Sequence, residues 1–300
     1  KEIPLPAPLN TILNAVVQPE SITLCGPEGG FNRPASCNQS QNQGSVVVGL
    51  TTQFFPETMG DSIPSDARGS ISHPAITPKF NDSGYSFGVA LRDDLINQLF
   101  WSMWYGGGLD IDIAESFADK LPAGVERASI SANLPPVVMP GTDGNTIDIG
   151  LGELKVNARL DIATLMAGQM AGGDIEPENV TPYFIDTEFY VSMIMGGAID
   201  IDPTTNELVL VVDPSPEFFF HFMNINNGAY AQEAGATLQE ILPNVLPEVL
   251  NHVLSSYPLP KIDVGGLAGL PEATAWELRN AELNHSDGYV QITGALRNAQ

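Results

Sequence analysis

The stretch NTIDIGLGELKVNARLDIA, residues 145–163, alternates apolar and polar residues over most of its length. A period of two is typical of a β-strand with one buried face and one wet face. Six further segments show the same alternation: 44–55, 84–91, 107–115, 184–202, 206–213 and 288–296. Turn-forming residues such as PGTDGN (140–145) and DPTTN (202–206) separate neighbouring segments. The sequence therefore predicts a long antiparallel meander.

Two segments carry a helical period instead. In residues 92–105, Asp93 and Asp94 suit a first turn, and the glycine run at 106–108 ends the helix. In the second segment, roughly 230–256, apolar residues recur at i, i+3, i+4 and i+7 over about 35 Å. Two interior prolines should bend this second helix, so we expect a surrounding sheet to hold it.

A short motif, Pro-Leu-Pro, occurs at residues 4–6 and again at 258–260. When the two copies are superposed, ESITL (20–24) falls on TAWEL (274–278), and a ten-residue shift brings 44–55 onto 288–299. The simplest explanation is an internal duplication; the alternative is a chance match of a short motif. The duplication predicts three parts: residues 1–56 as the incomplete tail of a first repeat, 57–79 as a Pro-rich linker, and 80–300 as a complete second repeat.

The order of these elements leads to a known family. SANLPP (131–136), a helix ending in YPLP (257–260) and ELRNAELNHSDGYVQITGAL (277–296) resemble the second half of the bactericidal/permeability-increasing protein family, which belongs to the tubular lipid-binding superfamily. The resemblance implies an α+β fold. A highly curved antiparallel sheet would wrap around a long C-terminal α-helix, after the strand-rich tail of a preceding module. It also implies a groove between helix and sheet that holds acyl chains.

A groove of this kind would bind cargo through apolar contact alone, at about 0.8 kcal/mol per buried methylene. Any single apolar residue in these helices and strands is equally well explained as ordinary core. With the resemblance, the candidate lipid-binding residues are Leu95, Leu99, Met103, Phe218, Phe220, Phe222, Leu242, Val245, Leu246 and Val249.

The charge balance excludes some partners. The chain has 36 acidic and 12 basic residues, a formal net charge of −24, which opposes binding to nucleic-acid phosphates. The family's best-known members use cationic surfaces to capture lipopolysaccharide, so this acidic chain departs from them. No apolar run of about 18 residues is present, and we expect no membrane-spanning segment. Transient contact with a membrane surface stays open, and the oligomeric state is not predicted.

Cys25 and Cys37 flank a segment rich in Gly, Pro and Asn. This spacing favours a local disulfide over a metal site, which needs more ligands nearby. A disulfide predicts an oxidising compartment, so we expect a secreted, periplasmic or cell-surface protein.

Signatures of catalysis are missing from the sequence. The four histidines lie far apart without an HExxH pattern, and there is no G-x-S-x-G elbow, P-loop or dinucleotide fingerprint. The acidic clusters at 110–115 and 200–207 are explained more simply as solvated strand ends than as calcium sites, and calcium binding stays open. We expect no enzyme, no cofactor and no metal. Two functions remain: a lipid-binding or lipid-transfer protein, and a structural or adhesive surface protein on the same scaffold with a filled groove.

Overall fold

The computed structural model describes residues 2–4, 11–25, 45–61, 63, 67, 69–72, 87–116, 121, 123–141, 147–170, 181–201, 208–213, 216–225, 276–286 and 288–298. Within them the elements in chain order are β1 (Glu2–Pro4), β2 (Ile12–Cys25), β3 (Ser45–Pro56), β4 (Phe87–Arg92), α1 (Asp93–Tyr105), β5 (Ile111–Asp112), α2 (Ile113–Ser116), β6 (Val125–Ala132), β7 (Val137–Pro140), β8 (Ile147–Asp161), α3 (Ile162–Met170), β9 (Phe184–Ile201), β10 (Leu208–Val212), β11 (Glu217–Ile225), β12 (Trp276–Ser286) and β13 (Tyr289–Asn298).

All strand pairs among the described residues are antiparallel, which confirms a sheet-rich α+β fold with few helices. The predicted helix at 230–256 falls outside the described residues, and with it the predicted wrapping of the sheet around that helix. Both stay predictions.

The largest sheet has the order β10-β9-β8-β6-β5, with β7 also paired to β8 and β11 also paired to β9. The two long strands β8 and β9 therefore form its centre. The shorter strands β6 and β7 follow one another along one side of β8, and β10 and β11 do the same along β9.

A β-bulge in β8 keeps one face of this sheet apolar. Gly152 and Glu153 together lie opposite Ser192 of β9, so the buried positions change from odd numbers up to Leu151 to even numbers from Leu154. Glu153 adopts a φ of 49°, and its backbone N–H donates to the Ser192 hydroxyl oxygen at 3.1 Å. Without the bulge, the residues after 153 would turn their apolar side chains to the opposite face.

Two smaller sheets have the orders β1-β2-β3 and β12-β13-β4. The two segments that the duplication hypothesis aligns both form antiparallel hairpins, β2 with β3 and β12 with β13, and each hairpin contains one register shift. The duplication and its proposed boundaries stay predictions.

Helix α1 begins and ends where the sequence predicts, with acidic residues in its first turn and Gly106 after its last. Two of its side chains bind the main sheet. Asn97 donates through Nδ2 to the Val138 carbonyl at 3.1 Å and accepts from the Val138 N–H at 2.6 Å. Trp104 donates through Nε1 to the Ala132 carbonyl at 2.6 Å.

The same helix also contacts both smaller sheets. The Ser102 hydroxyl donates to the Phe54 carbonyl of β3 at 2.8 Å. At the other end of α1, Asp93 lies 3.0 Å from His285 Nε2 of β12, and both side chains are buried. Helix α1 thus joins the three sheets around one apolar core.

Two strand predictions need correction. In 107–115, only Ile111–Asp112 is a strand, and the chain turns into α2 at Ile113. The strand predicted through residue 163 ends at Asp161, where α3 begins. The reason is a helix cap: Asp161 accepts hydrogen bonds from the Thr164 N–H and hydroxyl and from the Tyr183 N–H.

Candidate functional site

One face of the main sheet, called the inner face here, is apolar and buried. Its side chains alternate with outward-facing ones along β6, β8, β9 and the described part of β11, and the bulge in β8 preserves the alternation. The members of the inner face are uncharged: Ala128, Ile130 and Ala132 of β6, Val138 of β7, Ile147, Ile149, Leu151, Leu154, Val156, Ala158 and Leu160 of β8, Ile185, Thr187, Phe189, Val191, Met193 and Met195 of β9, and Phe218 and Phe220 of β11.

The candidate residues of α1 lie in the same apolar cluster as the inner face. Leu99 and Met103 are 2% and 0% exposed, and Leu95 is partly buried and packs against the cluster. The structure therefore brings the α1 candidates together with the sheet candidates. Ordinary core residues show the same burial.

The candidate aromatic residues of β11 alternate across the sheet. Phe218 and Phe220 pair in register with Met193 and Val191, and their rings are stacked with centroids 5.7 Å apart. Both are partly buried against the core cluster. The intervening Phe219 is 51% exposed, because adjacent residues of a strand point to opposite faces. Phe222 pairs with Phe189 in the same register, and its side chain lies outside the described part of the structure.

Several candidates lie beyond the described residues. Cys37 is among them, while Cys25 is the last residue of β2. The disulfide between these cysteines stays a prediction. The same holds for the four candidates of the predicted second helix: Leu242, Val245, Leu246 and Val249.

One member of the inner face is polar. Thr187 of β9 is 4% exposed, and its Oγ1 has no hydrogen-bond partner. Its register partner in β8 is Ala158, which pairs in turn with Ala128 of β6. Sequence reasoning missed this residue: the alternating run FIDTEFYVSM indicates its inward position, but not that its hydroxyl lacks a partner.

Part of the opposite, outer face of the sheet is charged. A depression of about 460 Å³ lies there, with Arg127, Arg159, Asp186 and Glu188 among its lining residues. Asp186 lies 3.9 Å from Arg127 and 3.6 Å from Arg159, so it partly neutralises both guanidinium groups. Beside the depression, a 2.8 Å ion pair with Glu188 raises the pKa of Lys155 above its usual value. These cations have carboxylate neighbours, so the depression is not an open site for phosphate groups.

Other chemistry is not visible in the described part of the chain. There, no three His, Cys, Asp or Glu side chains are grouped in a way that could hold a metal ion. No helix among the same residues is both long and apolar enough to cross a membrane.

Comparison with known proteins yields one weak structural similarity. No family model and no curated protein sequence matches the chain. Among solved structures, the chain is similar to a crystal structure of lipopolysaccharide binding protein, with 11% sequence identity and a TM-score of 0.31. The likeness covers 87% of this chain and 52% of that one, so this chain spans about half the length of that protein. The residues of the inner face are therefore the main indication of what the chain binds.

Proposed function

We propose that this protein binds a lipid, or another molecule with a long apolar portion, and holds it against the inner face of the main sheet. The observation that carries the proposal is the continuity of that face. Wherever the structure describes its side chains, this face crosses β6 with β7, β8, β9 and β11 without a charged residue.

The size of the inner face suits a long hydrocarbon. From Ile147 to Leu160 the face extends about 40 Å along β8, at about 3.3 Å per residue. A chain of a dozen buried carbons would contribute about 10 kcal/mol before the cost of association is subtracted. That is enough for stable binding without any directional contact.

Three candidate residues combine apolar character with partial exposure, which a ligand needs in order to make first contact. They are Leu95 of α1 and the stacked pair Phe218 and Phe220 of β11. We expect apolar cargo to meet the protein at these residues.

The proposal involves passive enclosure, with no covalent step and no cofactor. Lipid transfer would follow if the cargo can exchange with a membrane surface during transient contact. We further propose an extracytoplasmic location, secreted, periplasmic or at the cell surface, on the grounds of the predicted disulfide.

A second candidate is a structural or adhesive surface protein on the same scaffold, with its groove filled by side chains. The burial of Leu99 and Met103 favours it, since both pack within the core and neither lines an open slot. The two functions differ in whether the purified protein takes up apolar molecules.

Uptake of a pyrene-labelled alkane, followed by fluorescence, tests the proposal. Phe220→Ala should weaken uptake, because it removes an aromatic ring from the inner face. Phe219→Ala is the matched control: it removes the same ring one residue away, on the outer face, and should leave uptake unchanged. No uptake by the wild-type protein, or an equal loss in both variants, would contradict the proposal.

A further inference from the structure

Thr187 is out of place in an inner face that is otherwise apolar. Its side chain is 96% buried, given an exposure of 4%, and its hydroxyl oxygen makes no hydrogen bond. A buried hydroxyl without a partner destabilises the protein, whereas valine, which has nearly the same shape, would avoid that cost. Packing alone therefore gives no reason for threonine at this position.

The neighbours of Thr187 in the inner face are small side chains. Its row of register partners contains Ala158 and Ala128, while the next inward-facing row, two residues along, contains Phe189, Val156 and Ile130. Among the inward-facing rows that β6, β8 and β9 share, this row therefore has the smallest side chains. A small polar group of a ligand would fit better here than against the larger side chains.

Thr187 also lies near one end of the inner face. Only Ile185 precedes it among the inward residues of β9, and Phe189, Val191, Met193 and Met195 follow it. These four residues extend about 25 Å beyond Thr187, at about 3.3 Å per residue. A ligand with its polar end at Thr187 could therefore lay a long hydrocarbon chain along the rest of the strand.

The charge of the surroundings restricts that polar end. Among the described residues, the inner face has no cation that could act as a counter-ion, and the nearby Arg127 and Arg159 are outward-facing members of β6 and β8. A carboxylate or phosphate placed at Thr187 would be buried without a counter-ion, which is strongly unfavourable. A neutral oxygen group, such as an alcohol or an ester carbonyl, carries no such penalty.

We propose that the Thr187 hydroxyl hydrogen-bonds the neutral oxygen group of an uncharged long-chain lipid, an alcohol or an ester, and so selects it over a plain hydrocarbon. The inference rests on the proposed function, since it needs an apolar ligand on the inner face. It adds a class of ligand and a residue that determines specificity.

Competition between two matched ligands tests this inference. Hexadecanol and hexadecane would each displace a pyrene-labelled alkane from the wild-type protein and from Thr187→Val and Thr187→Ser. We expect Thr187→Val to bind hexadecanol about threefold to tenfold more weakly than the wild type, the usual effect of one hydrogen bond, with hexadecane unchanged. Thr187→Ser keeps the hydroxyl and should keep the preference for the alcohol.

The outcomes separate the two proposals. Wild-type protein that takes up no apolar probe would overturn the proposed function and this inference with it. Normal uptake, with Thr187→Val changing both ligands equally or neither, would overturn the inference alone. Without ligand, Thr187→Val should unfold at the same temperature as the wild type or at a higher one, because the variant lacks an unpaired buried hydroxyl. A lower unfolding temperature would contradict the inference, since it would show that the Thr187 hydroxyl stabilises the fold. If Thr187→Val does not fold, Thr187→Ala compared with Thr187→Ser gives the same contrast.

Discussion

Two isoleucines on opposite faces of the main sheet allow a direct test of which face is buried. Ile149 of β8 is 0% exposed on the inner face, and Ile194 of β9 is 42% exposed on the outer face. They occupy adjacent rows, since Ile149 pairs with Met195 and Ile194 with Gly150. Replacing either with alanine removes the same atoms, so the difference between the two variants measures burial.

The magnitudes follow from the carbons removed. Ile149→Ala deletes three buried carbons, about 2.4 kcal/mol of transfer free energy, and adds a cavity term, for a total loss of about 3 to 4 kcal/mol in the free energy of unfolding. Ile194→Ala removes partly solvated atoms and leaves no closed cavity, so a loss of about 1 kcal/mol is expected.

Urea unfolding followed by circular dichroism would measure both losses. If the slope of the free energy of unfolding against urea concentration is the same in the variants and the wild type, the losses are changes in stability. A difference of about 2 to 3 kcal/mol is expected between the variants. Equal losses, or a larger loss for Ile194→Ala, would show that the assignment of inner and outer faces is wrong.

Two further predictions concern the backbone features that shape the sheet and the helix after it. Burial opposes ionisation of Asp161, but hydrogen bonds from Thr164 and from the Tyr183 N–H outweigh it and lower the pKa of Asp161. Because its pKa is lower in the folded protein, the ionised Asp161 stabilises the fold at pH values above its unfolded pKa of about 3.9. This stabilisation is lost as the pH falls through the folded pKa. Asp161→Ala should therefore lower the free energy of unfolding by about 1 to 2 kcal/mol at pH 7. Thermal unfolding at a series of pH values should show that the difference from the wild type shrinks below about pH 4. A difference that stays constant with pH would contradict this prediction. Glu153→Gly should be neutral or stabilise by up to about 1 kcal/mol, because glycine adopts the positive φ of the bulge without strain; a clear loss of stability in urea would contradict the role given to the bulge.

The elements predicted best are those with strong local signals. Helix α1 was predicted to within a residue, because Asp93 and Asp94 mark its start and a glycine run marks its end. The long strand β9 followed from its alternation alone. In both cases, local chemistry and the final environment agree.

The elements that were missed carry competing signals. The helix cap at Asp161 lies inside a run that otherwise alternates, so the alternation predicts strand through residue 163 and gives no sign of α3. At Leu151-Gly-Glu-Leu154 the buried positions change from odd to even numbers because of the bulge. In the sequence this stretch looks like continuous alternation unless the positions are counted. Strand β11 contains three consecutive phenylalanines, Phe218 to Phe220, so its alternation becomes visible only when Phe219 is found exposed.

The candidate site was predictable in its apolar part and not in its polar part. Leu99 and Met103 follow from helical spacing, and the structure places them in one cluster with the inner face. Thr187 needs three-dimensional information, since nothing in the sequence shows that its hydroxyl is buried and lacks a partner. An unpaired atom is a property of the fold and not of the residue.

Native mass spectrometry of the purified protein, with organic extraction of the same sample, tests the central claim most directly. If the inner face holds apolar cargo, a fraction of the protein should carry the additional mass of a lipid, and the extract should contain an uncharged long-chain alcohol or ester. A single mass equal to that of the polypeptide, together with an extract free of lipid, would contradict the account.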